Sequence, residues 1–236
     1  MTSREPEAAR PRDEDGTKKI LVLISGSGSN LAALIAATTS SPPTIPSARI
    51  CHVVSDRKDA YGLTRAHEAN IPTTHHGILP YKKKYPDDAN SGGSGKFEAA
   101  REAYDADLSN LVLAQQPDLV VCAGFMRIVT SSFLSPLASA RPKPIPIINL
   151  HPSLHGDLIG ANCIQAAWEE FQAGKREKTG VMVHFVIRDV DLGAPVLERE
   201  VDMQGCGTLG ELEERVHKVE HGAIVEGVRV VLEGLR

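Results

Sequence analysis

The sequence predicts an α/β protein: a Rossmann-like, mainly parallel sheet with helices on both faces and an antiparallel extension near the C-terminus. Three observations carry this. Short apolar runs such as Lys18–Ile24 and Asp118–Ala123 have the composition of strands buried on both faces. Helical segments alternate with them, which implies right-handed crossovers between parallel strands. The stretch Thr179–Val201 is strand-rich and fits an antiparallel extension of the same sheet better than a new domain.

The elements follow in order. The first sixteen residues hold eight charges and three apolar side chains, Met1, Ala8 and Ala9, too few to offset the entropy of ordering. Residues 1–16 therefore read as a disordered tail, and residues 17–236 as a single domain. Lys18–Ile24 is a buried strand, ended by Ser25-Gly26-Ser27-Gly28-Ser29. Asn30–Ala37 is a helix and Thr38–Pro46 a Ser/Thr/Pro loop. Arg49–Val54 is a strand, Tyr61–Ala69 a helix and Ile71–His76 a weaker strand. Pro80–Lys96 is polar, carries Gly92-Gly93-Ser94-Gly95, and reads as a surface insertion. Phe97–Gln115 is a long helix, Asp118–Ala123 a strand, Ser131–Ala138 a short helix, and Pro144–Leu150 a strand after a proline-rich loop. Asn162–Ala173 is a helix, Thr179–Ile187 and Val196–Val201 are strands, and Leu209–Leu235 is a final helix broken at Gly222 or Gly227. No internal repeat is visible.

Composition narrows the function classes. The 236 residues carry 26 basic and 30 acidic side chains, a net charge of -4, so there is no cationic field to drive nucleic-acid binding. No apolar run is long enough to span a bilayer, and no basic-then-apolar leader suggests secretion. Cys51, Cys122, Cys163 and Cys206 lack metal-ligand or redox spacing, and Cys51 and Cys122 read as buried free thiols of a reducing compartment. A cytoplasmic protein acting on small molecules is expected.

In α/β sheets, ligands bind beyond the strand carboxyl ends. Ser25–Asn30 lies there, where its backbone amides and the following helix can hold an anion. The loop lacks the third glycine of a dinucleotide fingerprint and the lysine of a Walker loop, so a single phosphate suits it best. The same residues would also serve as a plain strand-to-helix turn capped by Ser29 or Asn30. Asn149 and His151 stand two apart at a strand end that Pro152 closes, so both project from one face. An amide donor beside an imidazole can stabilise an oxyanion and move a proton; such a pair can equally cap a turn. In Arg188-Asp189-Val190-Asp191-Leu192-Gly193-Ala194-Pro195, an Asp191 that reached His151 would favour imidazolium; otherwise it is a turn residue. No G-x-S-x-G elbow and no cysteine near a histidine is seen, which points to direct attack by a substrate group.

Four segments occur in sequence: Ile24-Ser25-Gly26-Ser27-Gly28-Ser29-Asn30, Ala123-Gly124-Phe125-Met126-Arg127-Ile128, Asn149-Leu150-His151-Pro152-Ser153-Leu154 and Asp191-Leu192-Gly193-Ala194-Pro195-Val196. Together they resemble the folate-dependent formyltransferases, and most closely the phosphoribosylglycinamide formyltransferases of purine synthesis, from about Lys18 onward. The resemblance implies catalysis by Asn149, His151 and Asp191. It implies ribonucleotide binding by Gly28, Ser29, Asn30, His217, Lys218, Val219 and Glu220. It implies folate binding by Arg101, Met126, Arg127, Ile128, Val129, Asn149, Ile187, Arg188, Asp189, Val190 and Asp191. The cosubstrate it implies is 10-formyltetrahydrofolate, with no metal.

Two of these positions also stand out on physical grounds. Arg101 shares a helix face with Phe97 and Tyr104, where it either snorkels or meets an anion such as a folate carboxylate. Glu220 falls in the apolar stripe of Leu209, Leu212, Val216 and Ala223, and a carboxylate so placed needs a partner. His217 and His221 have i,i+4 metal-ligand spacing, but no third ligand is evident. His75, His76 and His184 read as structural, with His184 packing against the site.

After Leu154 the family continues with Pro or Leu-Pro, whereas this chain has His155-Gly156-Asp157-Leu158-Ile159-Gly160. That departure, the Pro80–Lys96 insertion and the Arg141–Pro146 loop have no functional reading from sequence. The competing activities are formyltetrahydrofolate hydrolysis, with water replacing the amine, and a catalytically silent nucleotide- or folate-binding regulator, for which His155-Gly156 is the warning. Retention of Asn149, His151 and Asp191 together argues against the regulator. Related hydrolases and methionyl-tRNA formyltransferases carry further domains, for which no room is expected here.

Overall fold

The structure, a computed structural model, describes residues 16–86 and 97–235. The predicted tail and residues 87–96 of the predicted insertion fall largely outside the described residues.

A seven-stranded sheet organises the chain, in the order β3-β2-β1-β4-β5-β6-β7. The strands are β1 (Lys18–Ile24), β2 (Ala48–Ser55), β3 (Thr73–His75), β4 (Leu119–Cys122), β5 (Ile147–His151), β6 (Lys178–Phe185) and β7 (Pro195–Asp202). The first five pair in parallel, and β6 and β7 add antiparallel, as the sequence predicts. Helices α1 (Ser29–Thr39), α2 (Tyr61–Glu68), α3 (Leu79–Lys84), α4 (Glu98–Gln115), α5 (Ser131–Ala138), α6 (Cys163–Gln172) and α7 (Leu209–Gly234) cover the two faces.

The apolar run of β1 has a direct cause. Ile20, Val22 and Ile24 enter one core with Leu31, Leu34, Val216 and Ile224, while Leu21 and Leu23 enter a second with Tyr104, Leu108 and Phe133. A strand packed on both faces cannot alternate polar and apolar side chains.

Several expectations are corrected. Pro80–Lys84 lies in the short helix α3, where Pro80 occupies the first turn and needs no amide partner. Tyr81 anchors it, its hydroxyl donating to Asp107 Oδ2 at 2.7 Å. β5 starts at Ile147 rather than Pro144, because Pro144 and Pro146 have no amide to offer a ladder. Helix α7 is continuous through both glycines. Gly227 lies against β6, where a Cβ would come within 2.8 Å of Val183 Cγ1, so it serves close packing and not a break. Thr208 caps the start of α7 by accepting from the Glu211 amide at 3.2 Å. Cys51 is only half-buried, whereas Cys122 is buried as expected.

The strand order places a topological switch at β1, between β2 and β4. The loops beyond β1, β4 and β5 open on the same edge of the sheet, where an α/β fold binds its ligand.

Candidate active site

The glycine loop is built by close backbone approach. Gly28 adopts φ +70°, and a Cβ on it would stand 2.5 Å from Gly62 Cα at the start of α2. The Gly62 amide donates to Gly26 O at 3.1 Å, closing α2 against the loop. Gly28 occupies the N-cap of α1 without a side-chain cap, which leaves the first-turn amides of α1 available to an anion. The loop is tied to the one beyond β4: the Ser25 amide donates to Gly124 O at 3.0 Å, and Ser25 Oγ accepts from the Met126 amide at 2.8 Å.

Asn30 and Glu220, 190 residues apart in the chain, meet across α1 and α7. Asn30 Nδ2 donates to Glu220 Oε2 at 3.2 Å, and both residues are buried. This is the partner that the Glu220 position called for, and Asn30 Oδ1 is buried with no partner of its own. His217 and Lys218 are exposed and Val219 half-buried, on the turn of α7 just before Glu220.

At the end of β5, His151 is 4% exposed. Its Nε2 lies 2.8 Å from Leu158 O, which can only accept, so this nitrogen carries a proton. Its Nδ1 faces Asp191 Oδ2 at 3.5 Å. The Leu158 carbonyl and the Asp191 carboxylate thus flank the ring on its two nitrogen sides. His184 stands opposite Asn149 in the β5–β6 register. His184 Nε2 is 3.2 Å from Asn149 Nδ2 and 3.5 Å from Asp191 Oδ1. Its Nδ1 donates to Phe185 O at 3.0 Å.

Asp191 reaches these histidines because the β6–β7 connection doubles back. The Phe185 amide donates to Ala194 O at 3.0 Å, and a Cβ on Gly193 would overlap the Phe185 carbonyl. Asp191 takes φ +56°, a left-handed conformation that Asp tolerates better than most residues. Burial opposes its ionisation, but the hydrogen bond from His184, the Gly160 amide at 3.0 Å and the charge of His151 outweigh it. The carboxyl is held below the usual carboxylate range.

The unusual segment after Leu154 closes over His151. Asp157 binds Arg176 through two hydrogen bonds, at 2.6 and 2.7 Å, and Ser153 Oγ accepts from the Leu158 amide at 3.0 Å. The loop so fixed delivers the Leu158 carbonyl to His151 and the Gly160 amide to Asp191. It also corrects the expectation that no cysteine lies near a histidine. Cys163 Sγ is 3.5 Å from His151 Nε2 and donates to Gly160 O at 3.2 Å. Burial, reinforced by Asp191 and Asp157, pushes this thiol up from its usual pKa, so it stays neutral and is a poor nucleophile.

The proposed folate residues divide by orientation. Met126 and Ile128 are 70% and 60% exposed beyond β4, and Ile187 is exposed beyond β6. Arg127 turns inward, 4.5 Å over the Tyr104 ring and 3.8 Å from Asp56, while Val129 is buried in the core. Arg101 is half-buried and donates to Ile128 O at 3.2 Å, which fixes the same loop. Arg188 and Asp189 are exposed and Val190 is half-buried in the β6–β7 connection. Among the described residues no His/Cys/Asp/Glu cluster could hold a metal, and no helix is long and apolar enough to cross a membrane.

Sequence reasoning left His184 as packing and passed over Cys163 and the Leu158 carbonyl. His184 was findable only through the pairing register of β5 with β6, which spacing along one strand does not contain.

The formyl transferase family model matches residues 18–228. The chain is 43% identical over 213 residues to the phosphoribosylglycinamide formyltransferase of Schizosaccharomyces pombe, covering 90% of this chain and 96% of that protein. It is 42% identical over 220 residues to that of Saccharomyces cerevisiae, covering 92% and 98%. Among solved structures, glycinamide ribonucleotide transformylase 1 from Symbiobacterium toebii superposes with a TM-score of 0.74 at 33% identity, covering 97% of this chain and 92% of that one. A match running from the first strand into the last helix, with near-full-length relatives above 40% identity, makes this chain a member of the formyl transferase family.

Proposed function

We propose that this chain transfers the formyl group of 10-formyltetrahydrofolate to the amine of 5'-phosphoribosylglycinamide, in a single domain spanning residues 17–236. The observation that carries the reading is the joining of His151, Asp191 and Asn149 at the end of β5, in a chain whose near-full-length relatives bear that activity.

The ribonucleotide binds with its phosphate on the amides of Gly28, Ser29 and Asn30, and Glu220 takes its amine end, with His217–Val219 beside it. The folate lies against Met126, Ile128 and Ile187, whose exposed apolar side chains suit a flat ring system. Arg101 reaches its carboxylate tail, and Arg127, Val129, Arg188, Asp189 and Val190 shape the walls.

The substrate amine attacks the formyl carbon and gives a tetrahedral oxyanion. Asn149 stabilises it: its Nδ2 directs one proton at His184 Nε2 and keeps the second for the oxygen. The charged ring of His151 adds a positive field there. As the carbon–nitrogen bond to folate breaks, His151 Nδ1, the ring nitrogen not bonded to the Leu158 carbonyl, passes a proton to the leaving nitrogen and is reprotonated by the attacking amine through a water held by Asp191. Asp191 and the Leu158 carbonyl hold the ring in place for that transfer, and His184 positions both Asn149 and Asp191. All four cysteines are free thiols, in keeping with a cytosolic setting.

The test is the absorbance of deformylated folate with and without the ribonucleotide. Product should form only when the ribonucleotide is present. Formate release in its absence would contradict transfer and identify a hydrolase.

A further inference from the structure

The glycine loop contains no cationic side chain, yet a phosphate monoester brings close to two negative charges. Glu220, fixed to Asn30 at the other side of the same helix start, adds a third. A cation nearby would offset this charge beyond what the α1 amides supply, and α2 holds one. Arg65 lies along the loop: its Nε donates to Ser27 O at 3.0 Å, and its Cδ is 3.5 Å from where a Gly28 Cβ would stand. Its guanidinium is also 4.9 Å over the half-exposed ring of Tyr61. The backbone bond and the ring fix the fork in place while Nη1 and Nη2 keep their donors unused among the described residues. Arginine suits this role because its planar fork pairs two donors with two phosphate oxygens. A second mark of a ligand stands beside it: Asn30, 8% exposed, carries the unpartnered Oδ1 in the first turn of α1, an acceptor matched by a sugar hydroxyl next to the phosphate.

We infer that Arg65, supplied by α2 from outside the glycine loop, is a phosphate-binding residue for the ribonucleotide and sets the preference for a phosphorylated substrate. The inference rests on the reading that the loop holds the substrate phosphate. Its geometry follows from Gly28 and Gly62, whose lack of side chains lets α2 come close enough for Arg65 to lie along the loop.

The experiment compares affinities for glycinamide ribonucleotide and for the matching ribonucleoside, which lacks the phosphate, by calorimetry on the full chain. Wild type should prefer the ribonucleotide strongly. Arg65→Gln should weaken ribonucleotide binding about ten- to hundredfold, the range of a charged hydrogen bond, and change ribonucleoside binding less than about twofold. Arg65→Lys should keep part of the preference, and carries the comparison should Arg65→Gln melt without cooperativity. If wild type prefers the ribonucleotide and both variants keep the full preference, or if both ligands lose affinity equally, Arg65 only shapes the loop and the inference fails alone. If wild type shows no preference, the phosphate reading of the loop falls as well.

Discussion

Replacing Gly28 by alanine should damage both stability and ribonucleotide binding. At φ +70° an alanine pays the left-handed penalty of about 1–2 kcal/mol. Its Cβ would stand 2.5 Å from Gly62 Cα, where ordinary contact begins at 3.4 Å. The obstacle is backbone on both sides, so the loop and α2 must part by nearly 1 Å, an overpacking of about 1–3 kcal/mol. Together these give about 2–5 kcal/mol. At roughly 2–4 °C per kcal/mol for a chain of this size, Tm should fall by about 4–20 °C. The displaced amides of Ser29 and Asn30 should weaken the ribonucleotide more than tenfold by calorimetry, with folate affinity changed far less. A Tm within about 1 °C of wild type together with unchanged ribonucleotide affinity would refute the reasoning. The Gly62 contact also means that a bulkier Gly28→Val tests packing as much as phosphate approach.

Glu220→Gln should keep the Asn30 contact but lose the charge offered to the substrate amine, raising the ribonucleotide KM about tenfold with a smaller change in kcat, read from steady-state kinetics. Because the Asp191 carboxyl is held below the usual range, its charge-dependent stability is complete above the ordinary carboxylate pKa and is lost as pH falls through the depressed value. The stability gap between wild type and Asp191→Asn, from urea melts, should thus narrow as pH falls below about 4. Asp157→Ala removes both bonds to Arg176 and loosens the loop that holds His151, so kcat should fall several-fold while both KM values hold. Iodoacetamide at pH 7.5 should leave activity intact over an hour, since burial keeps the Cys163 thiol neutral despite its distance of 3.5 Å to His151.

The sheet was legible wherever local pattern and burial agree. β1 from Ile20 onward and all of β4 are apolar because helices cover both their faces, and the run within Lys18–Ile24 announces this. Boundaries failed where backbone chemistry outweighed composition, as when prolines delayed β5 to Ile147. The break predicted in α7 failed because glycine at 227 answers a packing demand from Val183, a long-range fact that no local propensity carries. In the site, Asn149 and His151 were legible from a two-residue period on one strand. The approach of Asp191 to His151 was a conditional reading that needed the turn at Gly193 to become geometry. His184 and Arg65 were not legible as site residues, because their positions depend on strand register and on how closely two glycines let α2 approach.

The central claim is that His151 and Asp191 act as one unit on a single proton during formyl transfer. Single-turnover rates of wild type, Asp191→Asn, His151→Ala and the double variant, taken across pH, test it most directly. Positioned acid–base catalysis is typically worth about 10²–10⁴ in rate, so Asp191→Asn should lose that much with substrate affinities nearly kept. His151→Ala should lose at least as much, and the double variant less than the product of the single losses. An Asp191→Asn rate within a few-fold of wild type, or losses that multiply independently, would contradict the pair and the mechanism built on it.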